Sequence, residues 1–381
     1  MLKPSRRRLF QLLVTLLVAL VVGGMWLAAY AVHFSRVDLD VSRYEDFIRE
    51  ISDENLRYFA QAMYDADLGW DFRPGDQKTR VNRSGADWSY VIDELGARRS
   101  APQEGALRVA TYGDSFTFCD EVNDDETWQH FLSIATGSSV QNFGVMGYGT
   151  DQALLKLERH LEQGREFDVV ILGLMSGDIN RVMNGFRPFI TGQRETAYHF
   201  KPMFVPSGGG YRLLNFVPQE VKRSAFLESM KRASRHDFWL RRSPAETIEI
   251  KAAGGMVWQY EEATSKMHFL VQRFADLAQR NRFKGVLLFI PMPGEVRRKS
   301  IGQGSHYQAF VDEVEAAASL TQIDVVDVFD AEFDPVRFNV EPFDGHASVY
   351  GNRVIAGLLQ RVISPFRDKS GVTPVEGASG G

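Results

Sequence analysis

Three short blocks of the sequence hold the side chains from which covalent chemistry could be built. Gly113-Asp114-Ser115-Phe116 sets a hydroxyl just after an apolar run, behind a glycine that lets the backbone turn sharply and expose it. A serine hydroxyl is a poor nucleophile until a base removes its proton. Asp344-Gly345-His346, near the other end of the chain, supplies an imidazole with a carboxylate two residues before it. An acid so placed can reach the ring, fix its tautomer and stabilise the imidazolium formed during attack. Acyl transfer also needs donors aimed at a developing oxyanion. Asn142-Phe143-Gly144-Val145-Met146-Gly147 follows a second apolar run, and a glycine there lets a backbone N–H come close to a substrate. Taken singly, a turn-forming Asp-Ser, a solvated histidine and turn-shaping glycines would account for these blocks. Their placement in loops after strands of one sheet favours chemistry over those plainer roles.

Other chemistries find less support. Cys119 lies four residues after Ser115 without a histidine near it in sequence, and reads as a buried structural thiol. As the lone cysteine it excludes an internal disulfide. The histidines show no H-E-x-x-H or comparable spacing, so no metal is expected. No glycine-rich phosphate loop appears and no cofactor is expected; the second glycine of a G-x-S-x-G elbow is also missing. A net charge of −5 offers no basic field for nucleic acid.

The elements that must position these blocks are legible from Leu107 to about Pro365. Apolar runs at Leu107–Tyr112, Val140–Phe143, Asp168–Leu174, Gly285–Ile290 and Ile323–Val328 read as buried strands. Between and after them, Asp125–Thr136, Asp151–Gln163, Glu262–Arg280, His306–Ser319 and Ser348–Ile363 read as helices. Continuous apolar strands alternating with helices imply an α/β fold, a parallel sheet covered on both faces, with ligands beyond the strands' carboxyl ends. Residues 181–261, rich in proline, glycine and aromatics, interrupt the rhythm and read as an insertion over the strand ends, either a lid or a surface excursion. Residues 35–106 read as a membrane-proximal segment, with a polar helix around Tyr44 to Asp65 and then loops. Residues 366–381 read as a disordered tail.

In this order the blocks resemble the SGNH/GDSL hydrolase superfamily over about residues 107–365. They look closest to a bacterial branch whose first block continues as Gly113-Asp-Ser-Phe-Thr117, then Glu121-Val and Asp125-Glu-Thr-Trp128, after a lead-in like Leu68-Gly69-Trp70 and Pro74. The resemblance implies a flavodoxin-like three-layer α/β/α sandwich. It also implies Ser115 as nucleophile, His346 as base, Asp344 as its partner, and Ser115 and Gly147 N–H groups in the oxyanion hole. The sequence departs from the family in two places. The last block is D-x-H rather than the commoner D-x-x-H, and Asp178 stands where an Asn should complete the hole. Either nearby Asn180 supplies that amide, or Asp178 is held protonated, or activity is weak or lost, since one missing donor costs on the order of 10²–10³ in rate.

Residues 9–32 are almost wholly apolar, and a span needs about 20 residues. They read as a transmembrane anchor rather than a cleaved signal peptide, although Ala29-Tyr30-Ala31 resembles a cleavage site. Lys3 and Arg6 to Arg8 precede the span, which places residues 1–34 as a cytoplasmic stub and anchor in the lipid bilayer and the rest outside, in the periplasm of a bacterium. The expected function is an exported serine esterase cleaving acetyl-type acyl esters. The alternatives are an O-acyltransferase acting on cell-surface polysaccharide, and a catalytically silent scaffold or glycan-binding protein.

Overall fold

The computed structural model describes residues 11, 13–25, 41–101, 107–317, 320–328 and 333–369. After the N-terminal stretch come helices α1 (Val41–Arg49) and α2 (Asp53–Ala62). Two hairpins follow, β1 (Tyr64–Asp65) with β2 (Gly69–Trp70), and β3 (Gln77–Val81) with β4 (Asp87–Val91). The alternating region then runs β5 (Arg108–Tyr112), α3 (Ser115–Phe118), α4 (Trp128–Thr136), β6 (Ser139–Asn142), α5 (Thr150–Glu162) and β7 (Val169–Leu174). Short helices α6 (Asp178–Arg181) and α7 (Pro188–Thr191), the hairpin β8 (Pro202–Ser207) with β9 (Gly210–Asn215), and helices α8 (Arg223–Ser234) and α9 (Pro244–Ala252) interrupt it. It resumes with α10 (Glu261–Asn281), β10 (Lys284–Phe289), α11 (Pro293–Ser300), α12 (Gln308–Ala317) and β11 (Thr321–Asp324). A hairpin of β12 (Asn339–Glu341) and β13 (Asp344–Ala347) leads into α13 (Val349–Lys369).

Five strands form one wholly parallel sheet in the order β6–β5–β7–β10–β11. This is the flavodoxin-like order, whose direction reverses between β5 and β7. Successive side chains of a strand point to opposite faces, and here both faces are buried. Val170, Leu172 and Leu287 pack with Leu154 and Leu157 of α5, Met267 and Leu270 of α10, and Phe310 of α12. Val169, Ile171 and Leu288 pack on the other side with Trp128 and Leu132 of α4 and Ile355 and Leu359 of α13. The result is the expected three-layer α/β/α arrangement. The last strand is shorter than its apolar run, since Val325–Val328 turns into a 3-10 helix.

The two regions flanking this pattern differ from expectation together. Residues 41–101 do not stand apart as a spacer: Tyr44, Phe47, Phe59 and Trp70 share one aromatic core with Phe186, Phe189, Phe200 and Phe226 of the inserted region. Phe186 stacks on Phe200 at 4.3 Å between centroids, and Tyr44 meets Phe189 edge-on at 4.9 Å. The insertion is therefore a packed unit rather than a loose excursion. The single helix expected around Tyr44 to Asp65 is two. Ser52, in extended backbone, caps α2 by accepting from Asn55 N–H at 3.1 Å, with Asp53 and Glu54 in the first turn.

Among the described residues no helix is long and apolar enough to cross a membrane. Gln11 and residues 13–25 are helical, and Leu13, Leu16, Leu17 and Leu20 are exposed. The rest of the 9–32 stretch lies outside the described residues, as do residues 370–381 of the expected tail; residues 366–369 continue α13.

Candidate active site

Ser115 opens α3 at the carboxyl end of β5, beside the point where the sheet order reverses. Asp114 caps the helix, its Oδ1 accepting from Phe116 N–H at 2.8 Å. The turn tolerates only glycine at 113: a Cβ there would stand 2.1 Å from Thr117 Oγ1 and 2.9 Å from the Gly173 carbonyl. As first residue of its helix, Ser115 keeps a backbone N–H without an intrahelical partner.

His346 reaches this serine from β13. Its Nε2 lies 2.9 Å from Ser115 Oγ, and the Phe116 ring leans against the imidazole at 4.7 Å between centroids. The other ring nitrogen, Nδ1, meets Glu121 Oε2 at 2.8 Å. The same carboxylate oxygen accepts from His346 N–H at 2.9 Å, and Oε1 accepts from Arg83 N–H at 3.0 Å. Burial works against the charge of Glu121, but these bonds outweigh it and bring its carboxyl down to about 2. An ionised carboxylate only accepts, so Nδ1 carries the proton and Nε2 is free to accept from the serine.

Asp344, expected as the partner of His346, is not there. Its side chain is exposed, with Oδ2 3.3 Å from Arg83 Nη1 and Oδ1 accepting from Gly345 N–H at 2.7 Å. The hairpin geometry explains the exchange. Phe343 and Gly345 both adopt positive φ, which turns the Asp344 carboxylate outward and opens room behind the backbone for Glu121. A Cβ on Gly345 would stand 2.9 Å from Glu121 Oε2, so glycine is needed for that approach as well as for φ +77°.

Glu121 sits on a strained loop. Cys119 (φ 64°) and Glu121 (φ 74°) are both left-handed, a conformation costing roughly 1–2 kcal/mol per non-glycine residue. Arg98, fully buried, holds the loop: it donates to the carbonyls of Phe118 (2.8 Å), Cys119 (2.6 Å) and Val122 (2.5 Å), and its Nε pairs with Asp124 at 2.8 Å. Arg83, Asn82 and Arg98 all come from the segment before residue 107, which thereby builds part of the site. The sequence did not single out Glu121 as the partner of His346. That glutamate stood in view as the Glu121-Val of the first block, but nothing in residue spacing foretold a left-handed turn aiming it at a histidine far along the chain. Cys119 is buried as expected, its thiol pushed up to about 12 by burial.

The loop after β6 lies against the serine's turn. Val145 N–H donates to Gly113 O at 3.1 Å, and a Cβ on Gly144 would collide with Phe118 N at 2.4 Å. Gly147, at φ +81°, makes no N–H hydrogen bond among the described residues. Its carbonyl accepts from Arg187 at 2.7 Å, so a guanidinium stands over it. Neither residue proposed for the third donor is free for that task. Asp178 Oδ2 accepts from Met175 N–H at 3.1 Å, and Oδ1 lies 3.3 Å from Arg181, which also binds Asp114 and Tyr148 O at 2.7 Å. Burial first, then Asp114, push the Asp178 carboxyl well above the usual range. The Asn180 amide donates to Gly255 O at 2.8 Å, in the inserted region. Among the described residues no cluster of His, Cys, Asp and Glu could hold a metal ion.

No family model matches the chain, and no curated protein matches it. Among solved structures it is similar to one placed in the lipolytic G-D-S-L family from Desulfitobacterium hafniense, at 15% identity and TM-score 0.34, covering 67% of this chain and 99% of that one. It is also similar to a member of the same family from Veillonella parvula, at 10% identity and TM-score 0.36, covering 67% and 97%. An alpha/beta hydrolase enzyme from the metagenome of Lake Arreo matches at 12% identity and TM-score 0.36, covering 68% and 97%. Two of these three structures carry the G-D-S-L family in their description, and all three likenesses are too low to carry an argument about this chain.

Proposed function

We propose that the chain is a serine ester hydrolase with Ser115 as nucleophile, His346 as base and Glu121 as the acid that orients it. The observation that carries this is His346 bridging the two, with Nε2 2.9 Å from the serine oxygen and Nδ1 2.8 Å from the carboxylate. Ser115 Oγ attacks the acyl carbonyl while its proton passes to Nε2, and Glu121 stabilises the imidazolium. The tetrahedral oxyanion lies against the Ser115 and Gly147 N–H groups, with the Arg187 guanidinium beside Gly147. Collapse expels the alcohol, which takes the proton from Nε2. A water, deprotonated in the same way, then releases the acid and frees the serine.

The substrate proposed is a small acyl ester of acetyl type, free or on a glycan. Incubating the protein with a fluorophosphonate probe and a short acyl ester, beside Ser115→Ala, tests the chemistry. Labelling and turnover in wild type and neither in the variant are expected; a wild type that is neither labelled nor hydrolytic refutes the proposal. Adding a sugar acceptor and analysing products separates hydrolysis from acyl transfer. We further propose that residues 9–32 anchor the protein in a bacterial inner membrane, N-terminus inside and catalytic domain in the periplasm. The exposed leucines of the helical residues 13–25 support this. Resistance of the membrane-bound protein to alkaline extraction is expected, and release into the supernatant would count against the anchor.

A further inference from the structure

A cavity of about 210 Å³ in the inserted region shares no residue with the Ser115 site. Arg212 of β9, Arg235 and His236 after α8, Arg241 before α9, and Lys266 and Glu262 of α10 line it. Its charges do not balance. Glu262 is the lone carboxylate on the lining, and it is already taken by Arg241, 3.1 Å away, and by Arg242. Arg212 and Arg235 form no ion pair among the described residues. Lys266 is 3% exposed, yet its ammonium donates only to the Val182 carbonyl, at 3.1 Å. The adjacent acid, Asp237, is fully buried and spends its oxygens on Asn184 Nδ2 and the Trp239 and Leu240 N–H groups. A buried ammonium without a counter-ion is costly, and burial pulls the Lys266 amine down from 10.5 to about 7, so an anion in the cavity would favour its charged form. Arg212, Arg235, Arg241 and Lys266 line the same cavity, and after burial all four push the imidazole of His236, which lines it too, down.

We propose that this cavity is a binding site for a small oxyanion, the charged group of a phosphate, sulfate or carboxylate ligand. Lys266 forms the buried floor and Arg212, Arg235 and Arg241 the exposed rim. Guanidinium groups at a rim grip oxyanions with two parallel hydrogen bonds, and an ammonium below acts as a point charge. The volume is under the roughly 300–1,000 Å³ of pockets that engulf drug-sized ligands, which restricts the occupant to a small anion or a single charged group. The site stands independently of the ester chemistry at Ser115.

The test is thermal denaturation and calorimetry of the full chain with sodium sulfate, sodium phosphate and sodium glucuronate, each against sodium chloride at equal ionic strength. At least one of the three raises the melting temperature above the chloride control. Arg212→Gln with Arg235→Gln weakens that anion by at least about tenfold while leaving the melting temperature without anion unchanged, because both side chains are exposed. Response to sulfate or phosphate alone assigns a tetrahedral oxyanion, and response to glucuronate alone assigns a carboxylated sugar. If no anion exceeds the chloride control, or the double variant responds as wild type does, the site does not exist.

Discussion

Among single residues, Glu121 rather than Asp344 meets the His346 ring. Glu121→Gln keeps the shape of the carboxylate but removes the charge that fixes the histidine's tautomer, and is expected to lower kcat on the order of 10²–10⁴-fold. Asp344→Asn should change kcat by less than about threefold, since an exposed ion pair with Arg83 is worth about 0–1 kcal/mol. Steady-state kinetics on one ester decides between them, and equal losses would return Asp344 to the mechanism. Ser115 was legible because its block follows a strand, which fixes it at one end of the parallel sheet; His346 comes instead from strand β13 of a separate hairpin, not from a loop after a sheet strand. Glu121 was not legible, because its aim depends on two left-handed residues and on an arginine from an earlier segment.

At the scale of elements, the central strands β5, β7 and β10 were readable because each is a short run buried on both faces, a pattern that neither a half-exposed strand nor an amphipathic helix produces, whereas the edge strands β6 and β11 are half-buried and more polar. The helix expected around Tyr44 to Asp65 was misjudged because its polar surface hides the break, and the capping bond at Ser52 becomes evident only once the turn is seen. Ser52→Ala, which removes the capping bond to Asn55 N–H, should cost about 1 kcal/mol in urea denaturation. The Phe118–Asp124 loop offers a second test. Arg98→Met removes four of its ties at once. The variant should lose activity through misplacement of Glu121, with kcat falling more than KM rises, and should be less stable than wild type. Unchanged kcat in a folded variant would show that Arg98 does not position the acid.

At the scale of the whole molecule, packing sets the response to acid. His160 is buried beside the Tyr112 hydroxyl at 2.8 Å, and burial pushes it down from 6.5 to about 2; His199, packed on Trp70, is pushed to about 3. Both stay neutral when folded but take up protons when unfolded. The stability these two histidines contribute is therefore fully present above about pH 6.5 and falls below it, by up to about 1.4 kcal/mol per pH unit for each, while the buried Asp237, raised by burial to about 7, works in the opposite direction as pH falls. Glu121, lowered from 4.5 to about 2, adds a further loss between those values. In urea titrations across this range His199→Gln should lose less stability per pH unit on acidification than wild type; equal slopes would mean His199 is not held neutral. The joining of the N-terminal segment to the inserted region was not legible, because a core made from two distant polar-and-aromatic stretches leaves no periodic trace. The distance between base and acid has one more consequence. Glu121 and His346 are 225 residues apart, and a chain is made from its N-terminus. Over the synthesis of those 225 residues the protein carries its serine and its acid but no base. On the proposed mechanism the serine remains an ordinary alcohol until the β12–β13 hairpin is made and docks beside it, so the reactive group is switched on only after the parallel sheet's strands have all been synthesised.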